Sequence, residues 1–284
     1  MLKFPLPSFL LFLVAFTFST SVSAQDFQGE ATYVTKRKFS FDLSGTQLSE
    51  ERKKMIQERM NQFSESTHKL TFNRTASVYQ AEQSLAPQGM SGARGGMRMQ
   101  MMGSFDSGKL YVDLAAQQYT QETELMGKFF LIRDSLDRPQ WKMTQETKTI
   151  GQYTCYKATY TQTVRRPAFL AGKRPKPGEE PPVEEIEMEI VAWYTPQIPV
   201  SMGPDQLTGL PGLILEVNDG NSTTLCTQVV INPEEKKEIK APKKGKLVDQ
   251  KTFEKIQEER MKEMRERFRG GPGGGRGERI IIRG

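Results

Sequence analysis

The chain of 284 residues holds a single histidine, His68, and that scarcity excludes more than any motif assigns. A zinc centre built on several imidazoles is ruled out, and a Ser-His-Asp or Cys-His arrangement would have to run through His68 itself. Only two cysteines occur, Cys155 and Cys226. No cysteine stands near the N-terminal cleavage site described below, so a lipoprotein anchor finds no support. No second long hydrophobic run follows the first, so no membrane-spanning segment is expected once that first one is removed.

What the N-terminus does hold reads as a secretory signal. Lys3 supplies a thin positive region, Phe9 to Phe18 a short apolar core, and Val22-Ser23-Ala24 a small-residue cleavage site. The apolar run is shorter than the roughly 20 residues that span a bilayer, which argues against an uncleaved anchor. The expected organisation is a signal at 1–24, one β-rich domain at 25–248 with a Pro-rich insert at 165–183, an amphipathic helix at 249–269 and a Gly/Arg-rich tail at 270–284. An exported protein meets an oxidising compartment, so Cys155 and Cys226 are expected to close a disulfide; two buried free thiols are the alternative.

Net charge is +6, and much of it crowds the C-terminus in Arg265, Arg267, Arg269, Arg276, Arg279 and Arg283. Gly270 to Gly275 beside these arginines resembles RGG-type nucleic-acid segments, but export removes nucleic acid as the natural partner. Solvated charge, or peripheral contact with acidic envelope surfaces, is the expected role.

Periodicity alternates between two kinds. Phe27 to Phe41 has strand content, whereas Met55, Ile56, Met60 and Phe63 recur at three- and four-residue steps after Ser49, which predicts a helix over 49–63 with Ser49 as its cap. Period-two alternation returns from His68 to Val78, then in short segments at 109–114, 118–122, 128–134, 141–146 and 153–163. Val183 to Tyr194 alternates most regularly, and 213–217 with 223–231 reads as a hairpin around Asn218 to Asn221. Thr252 to Phe268 returns to helical spacing, with Phe253, Ile256, Met261, Met264 and Phe268 near one face. Ile280-Ile281-Ile282 could add a final strand.

Three ordered blocks carry a family resemblance. They are Trp141 to Ala158, with Glu146-Thr147-Lys148, Ile150-Gly151, Tyr153 and Cys155; Ala192 to Pro204, with Trp193-Tyr194-Thr195 and Ile198-Pro199; and Gly209-Leu210-Pro211-Gly212-Leu213-Ile214. Together they resemble the GLPGLI proteins, a family of Bacteroidota with no settled biochemical activity. Asp134-Ser135-Leu136 also resembles the short O-glycosylation sequon of that bacterial group.

The Gly209–Ile214 turn carries no nucleophile, acid, base or ligand, and reads as a folding device. Leu210 to Leu213 fits a type II turn, with Gly212 at the position that needs positive φ. The prolines of Ile198-Pro199 and Gly203-Pro204 stiffen the segment before it. Candidate ligand-binding residues are therefore Trp193, Tyr194, Ile198, Pro199 and Pro204. Met97, Met99, Met101 and Met102 crowd a Gly-rich loop, and soft thioethers select Cu(I), which makes them a candidate metal set. No catalytic residues are assigned and no cofactor is expected.

These readings converge on a mainly β fold, a curved antiparallel sheet or open half-barrel with one or two amphipathic helices. Its layout resembles the LolA-type carriers, and an eight-stranded closed barrel is the alternative. The expected function is that of an exported envelope protein, non-enzymatic, binding an apolar ligand or an envelope protein segment in a cavity lined by Phe72, Ile190 and Leu215. A loop-mediated Cu(I)-handling factor and a carboxylate-dependent hydrolase are the alternatives.

Overall fold

A computed structural model describes residues 27–37, 49–55, 65–82, 108–167 and 183–269. The signal segment, the loop with Met97, Met99, Met101 and Met102, most of the Pro-rich insert and the tail from residue 270 lie outside the described residues.

Among the described residues the protein is mainly β, with twelve strands in one open sheet. Its order is β12 (Lys246–Val248), β6 (Lys128–Ser135), β5 (Gln118–Leu125), β4 (Leu110–Asp113), β3 (Ala76–Ala81), β2 (Glu65–Phe72), β1 (Gly29–Arg37), β11 (Ser222–Ile231), β10 (Leu213–Asn218), β9 (Val183–Thr195), β8 (Tyr153–Pro167) and β7 (Lys142–Ile150). The topology is two antiparallel meanders, β1 to β6 and β7 to β11, fused where β1 pairs with β11. Strands β12 and β7 end the sheet without pairing to each other, so the closed barrel is not adopted.

Local chemistry explains the strand limits. Alternation places Ala31, Tyr33 and Thr35 of β1 inward. The run from His68 to Val78, which reads as one strand, is broken into the β2–β3 hairpin. Asn73 is the cause: its Oδ1 accepts from the Thr75 and Ala76 amides at 2.9 and 2.7 Å, stabilising a turn against continued extension. A further strand that the periodicity does not reveal, β12, pairs parallel with β6 and is only three residues long. Gly245 leads into it at φ 129°, where a Cβ would stand 2.7 Å from the Phe130 nitrogen.

Residues 50–55 form a short helix, α1, whose Ser49 hydroxyl accepts from the Arg52 amide at 3.4 Å, as its predicted capping role requires. The rest of the helix predicted over 49–63 lies outside the described residues. The second helix, α2 (Gln250–Arg269), is capped by Asp249, which accepts from the Thr252 amide at 2.6 Å. Phe253 seats α2 on β6, its ring 5.5 Å from that of Phe130 in an edge-to-face arrangement.

The core gathers on several strands at once. Tyr33, Leu70, Phe72, Leu213 and Leu215 join in one cluster, and Ala158, Ile190, Ala192, Tyr194 and Ile214 in another on the neighbouring strands. Full burial of each Leu or Phe contributes about 1.5–3 kcal/mol. The disulfide expected between Cys155 and Cys226 is not formed; both are buried free thiols. Their strands, β8 and β11, are separated by β9 and β10. Both thiols face one core cluster, on strands that the two intervening ones keep apart in the sheet order. Each sulfur instead lies near a backbone carbonyl, Cys155 at 3.7 Å from that of Tyr153 and Cys226 at 3.3 Å from that of Gln228.

Candidate functional site

The segment between β9 and β10, residues 196–212, folds back over the sheet and is tied down throughout. The Leu213 amide donates to the Ile198 carbonyl at 3.0 Å and the Ile214 amide to Met202 at 2.9 Å. A bridge between Met202 and Thr208 closes a small loop, at whose tip Asp205 adopts φ 56°. The segment expected to be stiffened by its prolines is thus also held by backbone hydrogen bonds.

The Gly209–Ile214 turn differs from the expected type II geometry. Gly209, not Gly212, holds the positive φ, at 96°. Gly212 is required for a different reason: a Cβ there would stand 2.2 Å from the Thr195 carbonyl oxygen, where β10 first meets β9. Gly203 is similarly crowded, 2.8 Å from the Ile214 Cβ.

Side chains from distant strands converge on this loop. Asp205 lies close enough to Tyr79 on β3 and Tyr160 on β8 to raise both phenols, and Gln206 lies beside Tyr119 on β5, whose hydroxyl donates to Gln250 Oε1 of α2 at 3.3 Å. In a flat sheet β3 and β8 would stand about 29 Å apart, six spacings of about 4.8 Å. The sheet therefore bends around the loop. Burial is the main cause of the raised pKa at Tyr79, Tyr160 and Tyr119, the last being pushed up to about 12. Asp205 keeps exposed surface, yet the protein around it desolvates its carboxyl and raises its pKa, partly offset by the Gln206 backbone hydrogen bond. His68 stacks on Tyr79 with ring centroids 4.9 Å apart. Phenols held protonated this way serve as hydrogen-bond donors rather than bases.

The five residues singled out for ligand binding are not brought into one open surface. Tyr194, Ile198 and Pro204 are buried, while Trp193 is half-buried and Pro199 exposed. Trp193 and Tyr194 are adjacent on β9 and point to opposite faces. Lys148 Nζ sits 4.3 Å from the centroid of the Trp193 ring and 2.7 Å from Glu216, so that face of the indole already has a cation. Phe72, Ile190 and Leu215, expected to line an apolar cavity, are 0%, 4% and 1% exposed inside the packed clusters.

An open space lies elsewhere. A half-open cleft of about 350 Å³ is bounded by the β5–β6 turn, β12 and α2. Leu125, Phe130 and Ile256 give it an apolar floor, Met126 reaches in from the turn, and Lys128, Lys246, Glu259 and Arg260 line it with charge. The turn is a two-residue hairpin, with Met126 and Gly127 both at positive φ, 50° and 78°. Ile256, Glu259 and Arg260 share a helix face because they are spaced at three and four residues. None of these residues was a candidate from sequence. The Phe253/Ile256 stripe is legible in the helical spacing, but the Met126-Gly127 turn and β12, the strand that completes the cleft, are not among the sequence-based expectations.

Residues 141–216 match a Bacteroidota-associated family described as "Protein of unknown function (Porph_ging)". That stretch runs from Trp141 through β7, β8, β9, the crossing loop and into β10, the region that carries the three sequence blocks. No curated protein matches the chain. Among solved structures, PNGF-II in its C2 crystal form aligns over 81% of this chain and 32% of its own length, with 15% identity and a TM-score of 0.47. Its P21 form gives 81% and 33%, 14% identity and a TM-score of 0.46. LprF from Mycobacterium bovis aligns over 76% of this chain and 90% of its own, with 11% identity and a TM-score of 0.23. The chain thus spans about a third of the length of PNGF-II.

Proposed function

We propose that this chain is a GLPGLI-type protein exported to the cell envelope, where it acts without catalysis by binding an apolar ligand or an apolar protein segment. The observation that carries the reading is the half-open cleft, whose floor of Leu125, Phe130 and Ile256 is formed by an ordered hairpin and helix. Small-molecule sites are concave, mostly apolar and largely preformed, and about 350 Å³ lies at the low end of their usual range of roughly 300–1,000 Å³. The ligand position therefore moves from the sheet face, where Phe72, Ile190 and Leu215 are packed, to the end of the sheet covered by α2. Among the described residues no helix is long and apolar enough to cross a membrane. The secretory signal read at 1–24 supports export, and its removal is checked by the N-terminal sequence of the protein recovered from cells.

Titration with N-phenyl-1-naphthylamine, a neutral apolar probe that brightens on leaving water, tests the binding reading. Saturable brightening is expected, reduced in a Met126→Glu variant that places a charge at the mouth. Absence of saturable binding by the folded wild-type protein would overturn the reading.

A further inference from the structure

We infer that the ligand of the cleft is a free single-chain amphiphile with an anionic end, such as a long-chain carboxylate. The inference rests on the binding reading above and adds charge and chain number to it. The cleft carries three cationic side chains, Lys128, Lys246 and Arg260, against one carboxylate, Glu259. Arg260 is engaged by Glu263 at 2.8 Å, but Lys128 and Lys246 have no ion-pair partner among the described residues. They share one face of the sheet on neighbouring strands, Lys128 two residues before Phe130 on β6 and Lys246 paired with Phe130 on β12. An apolar floor beneath two uncommitted ammonium groups matches a molecule with a hydrocarbon body and one anionic end.

Volume selects among anionic amphiphiles. A cleft of about 350 Å³ lies near the bottom of the range for small-ligand sites, which favours one acyl chain over the two of a membrane phospholipid. Charge also selects against the protein's own tail: the segment after Arg269 holds Ile280-Ile281-Ile282 but is flanked by Arg276, Arg279 and Arg283, of the same sign as the cleft.

The test compares 11-(dansylamino)undecanoate with its methyl ester, which has the same chain without the charge, on the full mature chain. The acid is expected to bind at least fivefold more tightly. A Lys128→Gln/Lys246→Gln double variant should lose about fivefold to tenfold for the acid and leave the ester unchanged, in keeping with two partly exposed charge contacts. Both lysines are exposed, so the variant should fold, as circular dichroism will check. Equal affinity for acid and ester overturns the inference while the binding reading stands. Absence of binding by either probe, together with N-phenyl-1-naphthylamine, removes both. Binding to phosphatidylglycerol vesicles but not to the free acid overturns the single-chain assignment. A gain above tenfold on deleting residues 270–284 overturns it in favour of the tail as occupant.

Discussion

The Trp141 indole donates its Nε1 proton to the Thr208 carbonyl at 2.8 Å. This bond joins the residue before β7 to the loop preceding the Gly209–Ile214 turn, and so links the first and last of the sequence blocks. Thr208 is 3% exposed, so its carbonyl has little water to fall back on. A Trp141→Phe substitution keeps a ring against Tyr160, whose centroid lies 4.6 Å away, but strands that acceptor. It should lower stability by about 1–3 kcal/mol in guanidinium unfolding, and Trp141→Ala should cost more because the packing is also lost. An unchanged midpoint for the Phe variant would remove this bond from the account of the motif.

The two glycines of the turn should separate in mutation because they are required for different reasons. Gly212→Ala puts a Cβ 2.2 Å from the rigid Thr195 carbonyl, so the β9–β10 junction must open. A loss above about 4 kcal/mol, or failure to recover folded protein, is expected. Gly209→Ala meets only the Trp141 ring at 3.5 Å and the strain of φ 96°, a cost of about 1–3 kcal/mol. Thermal melts of the two variants check the order, and a milder effect at Gly212 would contradict the close approach.

The strand pattern was legible where burial alternates, as in β1 and β4, and less so where consecutive residues are buried, as in β2, β3 and β10. The β2–β3 break was harder, since Asn73 sits in phase with the alternation and acts through side-chain bonds that periodicity does not register. The turn at Gly209–Ile214 was legible as a turn, but which glycine bears the positive φ depends on the approach of β9, a tertiary contact. Likewise the thiols of Cys155 and Cys226 suggested a bond, and only the intervening strands β9 and β10 show why it does not form. The cleft was illegible for a related reason: β12 is three residues whose place is set by Gly245 against Phe130 rather than by its own pattern.

Free thiols give a direct count. In guanidinium without reductant, two thiols per chain should react with a disulfide reagent such as Ellman's, and in the native state at pH 8 both should react slowly. Zero reactive thiols in the unfolded protein would restore the disulfide. The same burial sets an alkaline limit on stability, since it pushes the Cys226 thiol up to about 12. A raised folded pKa means that the native state keeps the proton longer than the unfolded chain. Its contribution is full below the unfolded thiol value of about 8.5 and falls as pH rises toward 12. Tyr119 acts in the same direction from about 10 to about 12. Urea midpoints should therefore decline above pH 9, and Cys226→Ala should flatten the first part of that decline.

Asp249 governs the opposite end of the pH scale. Hydrogen bonds from the Thr252 side chain and amide lower its pKa, with the amide at 2.6 Å, and its carbonyl accepts from Phe253 at 3.0 Å. A depressed folded pKa stabilises the helix start above the unfolded carboxyl range, and the contribution is lost as pH falls through the folded value. The cap matters beyond α2, because Phe253 anchors the helix to Phe130 and the next turns supply Ile256, Glu259 and Arg260 to the cleft. Asp249→Ala should speed amide hydrogen exchange in the first turn of α2 near neutral pH, and wild type should approach the variant as the carboxyl protonates. Asp249→Asn keeps an acceptor without the titration, so its exchange protection should follow pH less steeply. If the Ala variant exchanges like wild type at neutral pH, the helix is held by Phe253 packing alone, and the cleft wall does not depend on its cap.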